Sequence, residues 1–227
     1  MRPRIAVSIP ARTVSEASKM VRRVKRLGAD LAEIRLDYLE GDGPVEKLAR
    51  AQAIPLIATF RSSKNRAARN SEEGQRTEAL ITAAEAGFSY VDVELETRDL
   101  SSVIDKLLAA GAKAIASHHD FTETPSDIQL RKVLRLCRNS GAALSKLITT
   151  AKKLEDNLRL LTLAQEESKK CGLICFAMGR LGVLSRIFSP FYGASFTFAS
   201  LSDEGTVAPG QISISRMRRI YTEMGYS

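Results

Sequence analysis

Lys146, inside an apolar strand-like segment, and His119, at the end of the segment before it, are the residues of this 227-residue chain whose types best suit covalent chemistry. Burial and neighbouring cations both disfavour an ammonium, so a lysine held among Arg35, Arg61 and His119 is expected to present a neutral amine. Such an amine adds to a ketone or aldehyde. The imine that follows draws electrons from the neighbouring carbon, whose proton a histidine can take near neutral pH. A zinc reading of His118 and His119 is poorly supported, because adjacent strand residues point to opposite faces and no H-E-x-x-H motif or Cys/His cluster accompanies them. No P-loop or G-x-G-x-x-G signature occurs either.

Further charged residues stand inside segments that otherwise read as buried strands, where an apolar run is the rule. In Glu33-Ile34-Arg35-Leu36-Asp37 the two-residue alternation sends Glu33 and Arg35 to one face and Ile34 and Leu36 to the other. Thr59-Phe60-Arg61, Asp92 with Glu94, and Ser117-His118-His119-Asp120 repeat the pattern towards the same rim. Taken singly, each has a plain alternative: a structural ion pair for Glu33 and Arg35, a rim residue for Arg61, a snorkelling stem for Lys146 and a loop cap for His119. Five successive strands contributing charge in one direction argue for a common site.

The elements that must position these groups alternate along the whole chain. Strands are expected near Ile5 to Ile9, Leu31 to Leu36, Pro55 to Phe60, Tyr90 to Leu95, Ala112 to His118, Ala143 to Ile148, Leu173 to Met178 and Ser195 to Phe198. Helical periodicity covers Val14 to Leu27, Glu72 to Ala86, Leu100 to Ala110, Ser126 to Arg138 and Leu154 to Lys169, with a last helix after Gln211. Gly28, Gly87, Gly111, Gly141 and Gly172 are placed as left-handed caps. Eight units of roughly 28 residues predict a (β/α)8 TIM barrel forming a single domain over residues 1–227, with an open doubly wound sheet as the competing arrangement. In such barrels, functional groups gather at the mouth formed by the strand C-termini.

Composition bounds the rest. With 44% hydrophobic and 26% charged residues, the chain resembles ordinary globular proteins, not disordered or collagen-like ones. Its apolar runs are short of the ~20 residues of a membrane helix, and Pro10 and Arg12 end the first of them too early for a signal peptide, so a cytoplasmic location is expected. Cys137, Cys171 and Cys175 have the apolar neighbours of buried thiols. The net charge of +8 suits nucleic acid, a membrane surface or an anionic small substrate. Basic runs at Arg22 to Arg26 and Arg216 to Arg219 lie on helices, where solvated faces explain them, and with no Trp a base-stacking platform is disfavoured.

In order and spacing, a series of motifs resembles the type I 3-dehydroquinate dehydratases of the shikimate pathway, over nearly the whole chain. They are Glu33-Ile34-Arg35-Leu36-Asp37, Thr59-Phe60-Arg61-Ser62, Asp92-Val93-Glu94, Ser117-His118-His119-Asp120-Phe121, Lys146, Gly182-Val183-Leu184-Ser185-Arg186 and Ala208-Pro209-Gly210-Gln211. The resemblance implies a cofactor-independent, metal-free enzyme in which Lys146 condenses with the ketone of 3-dehydroquinate and His119 removes the adjacent proton. It assigns Arg186 to the substrate carboxylate, with Gln211, Glu33, Arg35 and Arg61 as further substrate contacts. Met178, Phe198, Asp92, Ser8, Thr206 and Ala208 then line the pocket, and the protein is a homodimer. The family's loop glutamate is carried over to Glu73, whose bland reading is a first-turn helix charge.

Three departures stand out. Val207 takes a position usually held by Ser or Thr, Lys64 to Ser71 reads as an insertion suited to a lid, and Phe176 replaces a common methionine. Two rivals remain at the level of sequence. One is another lysine-imine barrel of the class I aldolase type; the other is a basic nucleic-acid-binding module.

Overall fold

The computed structural model describes residues 2–40, 43–50, 54–65, 67–68, 71–203 and 210–226, with Arg50 described by its backbone alone. Eight short segments rich in β-branched and small apolar residues form the strands. They are β1 (Ile5–Ile9), β2 (Leu31–Arg35), β3 (Leu56–Thr59), β4 (Tyr90–Glu94), β5 (Lys113–His119), β6 (Leu144–Thr150), β7 (Gly172–Met178) and β8 (Thr197–Ala199). The pairings between these strands are all parallel, and the order β7-β6-β5-β4-β3-β2-β1-β8 runs sequentially without the reversal of a doubly wound sheet. Ser195 N–H donates to Leu173 O at 2.7 Å, bringing the segment before β8 against β7 and leaving a nearly closed (β/α)8 barrel.

Outside the strands lie α1 (Val14–Arg26), α2 (Glu46–Arg50), α3 (Glu73–Glu85), α4 (Leu100–Ala109), α5 (Asp127–Asn139), α6 (Glu155–Glu167), α7 (Val183–Phe188) and α8 (Ile214–Glu223). Their starts carry local signals: Thr13 Oγ1 accepts from Glu16 N–H before α1, and Ser126 and Gln129 form a reciprocal capping box at α5. Four of the five expected glycine caps, Gly28, Gly87, Gly111 and Gly141, have φ of +85° to +100°. Gly172 does not: it opens β7, and a side chain there would meet Ala143 O at 3.0 Å, so close strand approach is its requirement. The short helices α2 and α7 are too brief to show a periodicity and were not anticipated.

Strand parity divides the core in two. One set, including Val7, Ile9, Ile34, Ala58, Val91 and Ala114, faces the helices. The other, with Leu31, Ile57, Ile115, Leu144, Ile174 and Phe196, fills the barrel interior. Above that apolar floor the inward residues turn polar, with Ser8, Glu33, Thr59, Asp92, Ser117 and Lys146 all buried. β5 runs beyond its expected end because His119 pairs with Ile148, and β6 because Thr149 and Thr150 pair with Ala177 and Met178. His119 is thus a strand residue rather than a loop cap, and its backbone is fixed by the sheet. Cys137 and Cys175 are buried thiols, whereas Cys171 is only half-buried; all three are free.

Candidate active site

Lys146 lies in the middle of β6 with only 3% of its surface exposed. Its Nζ donates to Asp92 Oδ2 at 2.7 Å and to Glu33 Oε1 at 3.4 Å, and sits 4.2 Å from the centre of the Phe198 ring. This corrects the expectation of a lysine ringed by cations. The charges in direct contact with the amine are carboxylates, and the cations stand behind them.

Asp92 is the hub. Arg61 grips it through two 2.7 Å bonds, and Ser117 Oγ donates to it at 2.6 Å. Burial opposes its charge, but Arg61 and Lys146 outweigh burial and hold the carboxyl well below the usual range. Glu33 follows the same logic: desolvation is overcome chiefly by Lys146 and Arg61, so it stays ionised. It accepts from Ser8 Oγ at 2.6 Å and Thr59 Oγ1 at 3.0 Å. Arg35 does not pair with Glu33; it bonds Asp37 through Nε at 2.8 Å and Nη2 at 2.6 Å. These bonds leave few rotamers open, so the floor of the site is pre-arranged.

His119 stacks on Phe121 with ring centres 5.9 Å apart and is half-buried, its Nδ1 enclosed and unpartnered. Burial first, then Arg61 and Lys146, push its pKa well below 6.5, leaving a neutral imidazole at physiological pH. Its neighbour His118 points away to Glu96, 2.6 Å distant, and that hydrogen bond raises its pKa. The two rings therefore diverge, and among the described residues no group of three or more His, Cys, Asp or Glu is placed to hold a metal.

Arg186 is carried by α7, whose placement rests on a set of buried polar contacts. Ser185 Oγ accepts from Ala177 N–H at 2.9 Å, and Ser185 N–H donates to Asn157 Oδ1 at 2.9 Å. Gly182 lies so close to β7 that a side chain would meet the Ala177 carbonyl at 2.7 Å. The guanidinium, 1% exposed, lies 4.4 Å from the Phe176 ring and makes one long bond to Phe198 O at 3.4 Å, while Nε and Nη2 have no partner. Burial lowers its pKa to about 9, so a charged fork without a counter-ion faces the interior at neutral pH. Two parallel donors of this kind match a carboxylate.

These groups share one cavity of about 660 Å³, including its open mouth. Of the sequence-predicted residues, Lys146, His119, Glu33, Arg35, Arg61, Arg186, Gln211, Met178, Phe198 and Ser8 line it. Asp92 lies beneath the cavity, touching it only through Lys146 and Arg61. Thr206, Val207 and Ala208 lie outside the described residues, as do residues 66, 69 and 70 of the segment read as a lid. Glu73 is not brought to the site: it opens α3, and its carboxylate accepts from Arg98 N–H at 2.7 Å, the first-turn role that was its bland reading. Phe121, Ile148 and Asn65 line the cavity without having been singled out for it. Ile148 was legible as an inward position two residues after Lys146, but nothing marked Asn65.

Among curated proteins, a 3-dehydroquinate dehydratase from Dehalococcoides mccartyi is 39% identical over 202 residues, covering 89% of each chain. One from Methanosarcina barkeri is 31% identical over 226 residues, covering 94% of this chain and 93% of its own. Among solved structures, the type I 3-dehydroquinate dehydratase of Clostridium difficile, determined with covalently modified comenic acid, superposes with a TM-score of 0.87 at 26% identity, covering 98% of this chain and 92% of its own. The Aquifex aeolicus enzyme gives a TM-score of 0.82 at 28% identity, over 97% and 98%. A family model described as type I 3-dehydroquinase matches residues 5–227. With that match spanning the strands that carry His119 and Lys146 and the helix that carries Arg186, the chain belongs to the type I 3-dehydroquinase family.

Proposed function

We propose that this protein is a 3-dehydroquinate dehydratase of the shikimate pathway, with residues 1–227 as one catalytic domain in which Lys146 forms the imine and His119 moves the protons. The observation that carries this reading is the convergence of three groups on one cavity: the buried Lys146 amine, the neutral His119 imidazole and the unpartnered edge of Arg186. A ring bearing a ketone on one side and a carboxylate on the other spans that set.

The chemistry follows from these positions. The amine attacks the ketone carbon as a neutral nucleophile, so its extra proton is first taken by the neutral His119 imidazole, which gives it back to the carbinolamine hydroxyl. Loss of water from the resulting carbinolamine gives the imine. His119 then takes a proton from the carbon next to the imine, and the electron pair enters the conjugated nitrogen system as an enamine. The electrons return, expelling the hydroxyl from the following carbon, and the imidazolium supplies the proton that makes it water. Hydrolysis frees the lysine and 3-dehydroshikimate. One water is lost overall, and each proton has a donor and an acceptor. Arg186, bound to the carboxylate, holds the ring so that this proton faces His119.

Incubation with 3-dehydroquinate should produce the ultraviolet absorbance of a conjugated enone carboxylate; a flat trace would remove the reading. In the same assay Arg186→Ala should raise KM roughly a hundredfold, since a charge-assisted, fully buried pair is worth about 3 kcal/mol. An unaltered KM would move the carboxylate elsewhere. The aldolase rival needs a phosphate seat near the last two loops, and the buried guanidinium there favours a carboxylate instead. The nucleic-acid rival is not supported, since Arg22, Arg23, Lys25 and Arg26 form a solvated helix face around the buried Val24.

A homodimer in the cytoplasm completes the proposal. An apolar face on α6 and α7, where Leu154, Leu158 and Leu184 are 56%, 67% and 46% exposed, supports self-association. Three free thiols suit a reducing compartment. Sedimentation equilibrium returning only the 24.9 kDa monomer would overturn the dimer.

A further inference from the structure

We propose that Asn65 is a substrate-binding residue, its side-chain amide holding a ring hydroxyl that the elimination leaves in place; this rests on the dehydratase reading above. Asn65 ends a 3-10 turn, Ser63–Asn65, shortly after β3 and Arg61, and lines the cavity together with Lys146 and His119. The turn is anchored at both ends. Asn65 N–H donates to Ser62 O at 2.9 Å, Ser62 N–H donates to Glu94 Oε1 at 3.1 Å, and Ala68 N–H donates to Asp37 Oδ2 at 2.9 Å. Asp37 is the partner of Arg35, so the turn is tied to the charged wall of the site.

Within this wall Asn65 differs in kind from its neighbours. Glu33, Arg35, Arg61 and Lys146 are charged and already engaged with one another or with Asp37 and Asp92. The Asn65 amide makes no side-chain hydrogen bond among the described residues. It offers two donors and an acceptor, the complement of a hydroxyl, which both gives and receives a hydrogen bond. The β3–α3 loop therefore contributes a neutral group to the cavity, while Glu73, the first residue of α3, spends its carboxylate on Arg98 N–H outside it. A neutral contact here also adds no negative charge near His119, which the reaction needs uncharged.

The test compares Asn65→Ala with the wild type on 3-dehydroquinate and on its 4-deoxy and 5-deoxy analogues. The substitution should lower kcat/KM about tenfold on the parent compound, the worth of one neutral hydrogen bond. On the analogue lacking the partner hydroxyl the loss should vanish. Equal losses on all three compounds, or none on the parent, would overturn the assignment. If the alanine variant does not fold, Asn65→Leu, which keeps the shape without the polar atoms, gives the same comparison. A wild type inactive on 3-dehydroquinate would instead sink the dehydratase reading, so the two failures are separable.

Discussion

Lys146→Ala should lower the dehydration of 3-dehydroquinate by roughly 10⁴-fold or more, because the proposed step it removes is covalent and no other described residue lining the cavity carries a primary amine. With the wild type, borohydride added during turnover should reduce the imine and leave a stable adduct on the Lys146 peptide, which mass spectrometry would locate. An adduct that survives the substitution would defeat the mechanism. The substitution also strips a counter-charge from Glu33 and Asp92, which are buried and ionised. Breaking a buried pair of this kind costs about 3 kcal/mol or more, so lost activity alone is ambiguous. Lys146→Arg separates the effects: it keeps a positive charge between the carboxylates yet cannot form an imine, and it should fold while remaining inactive and untrappable.

His119→Ala should leave imine formation possible but slow elimination by about 10² to 10⁴, the range for a positioned acid–base group. Borohydride should therefore still trap the variant. Turnover at the wild-type rate would transfer proton removal to another group, with His118 the nearest by sequence. The pH profile offers a second check. In the proposed mechanism His119 works as the neutral imidazole, and burial with Arg61 and Lys146 lowers its pKa well below 6.5. As pH falls, kcat/KM should hold through the ordinary histidine range and drop only at lower pH, where the imidazole gains its proton. An acid limb at or above 6.5 would contradict the desolvated environment drawn here.

The legible and the illegible parts of this protein differ in the range of the interactions behind them. Glu33 and Arg35 were readable as sharing a face because alternation along a strand is a property of two successive residues. Gly28, Gly87, Gly111 and Gly141 were readable because ending a helix and turning towards a strand is a local steric demand. Lys146 and His119 were readable as a pair once adjacent strands were placed side by side. Glu73 failed for the opposite reason: a carboxylate near the start of a helix can reach a cavity or cap a distant N–H, and only the position of Arg98 decides. Arg186 was named by its motif, but its missing counter-ion emerges only when α7, β7 and β8 enclose it.

Local chemistry along the chain therefore settles the alternating elements, the barrel they imply and the residue types offered at its mouth, since period, caps and turns act over a few positions. Closure of the barrel settles which charges touch. It sets Asp92 between Arg61 and Lys146, leaves Arg186 Nε and Nη2 without a protein partner, and brings Asn65 to the wall while keeping Glu73 away. Coulomb and desolvation energies depend on distances between groups remote in the chain, and no pattern of neighbours encodes those distances.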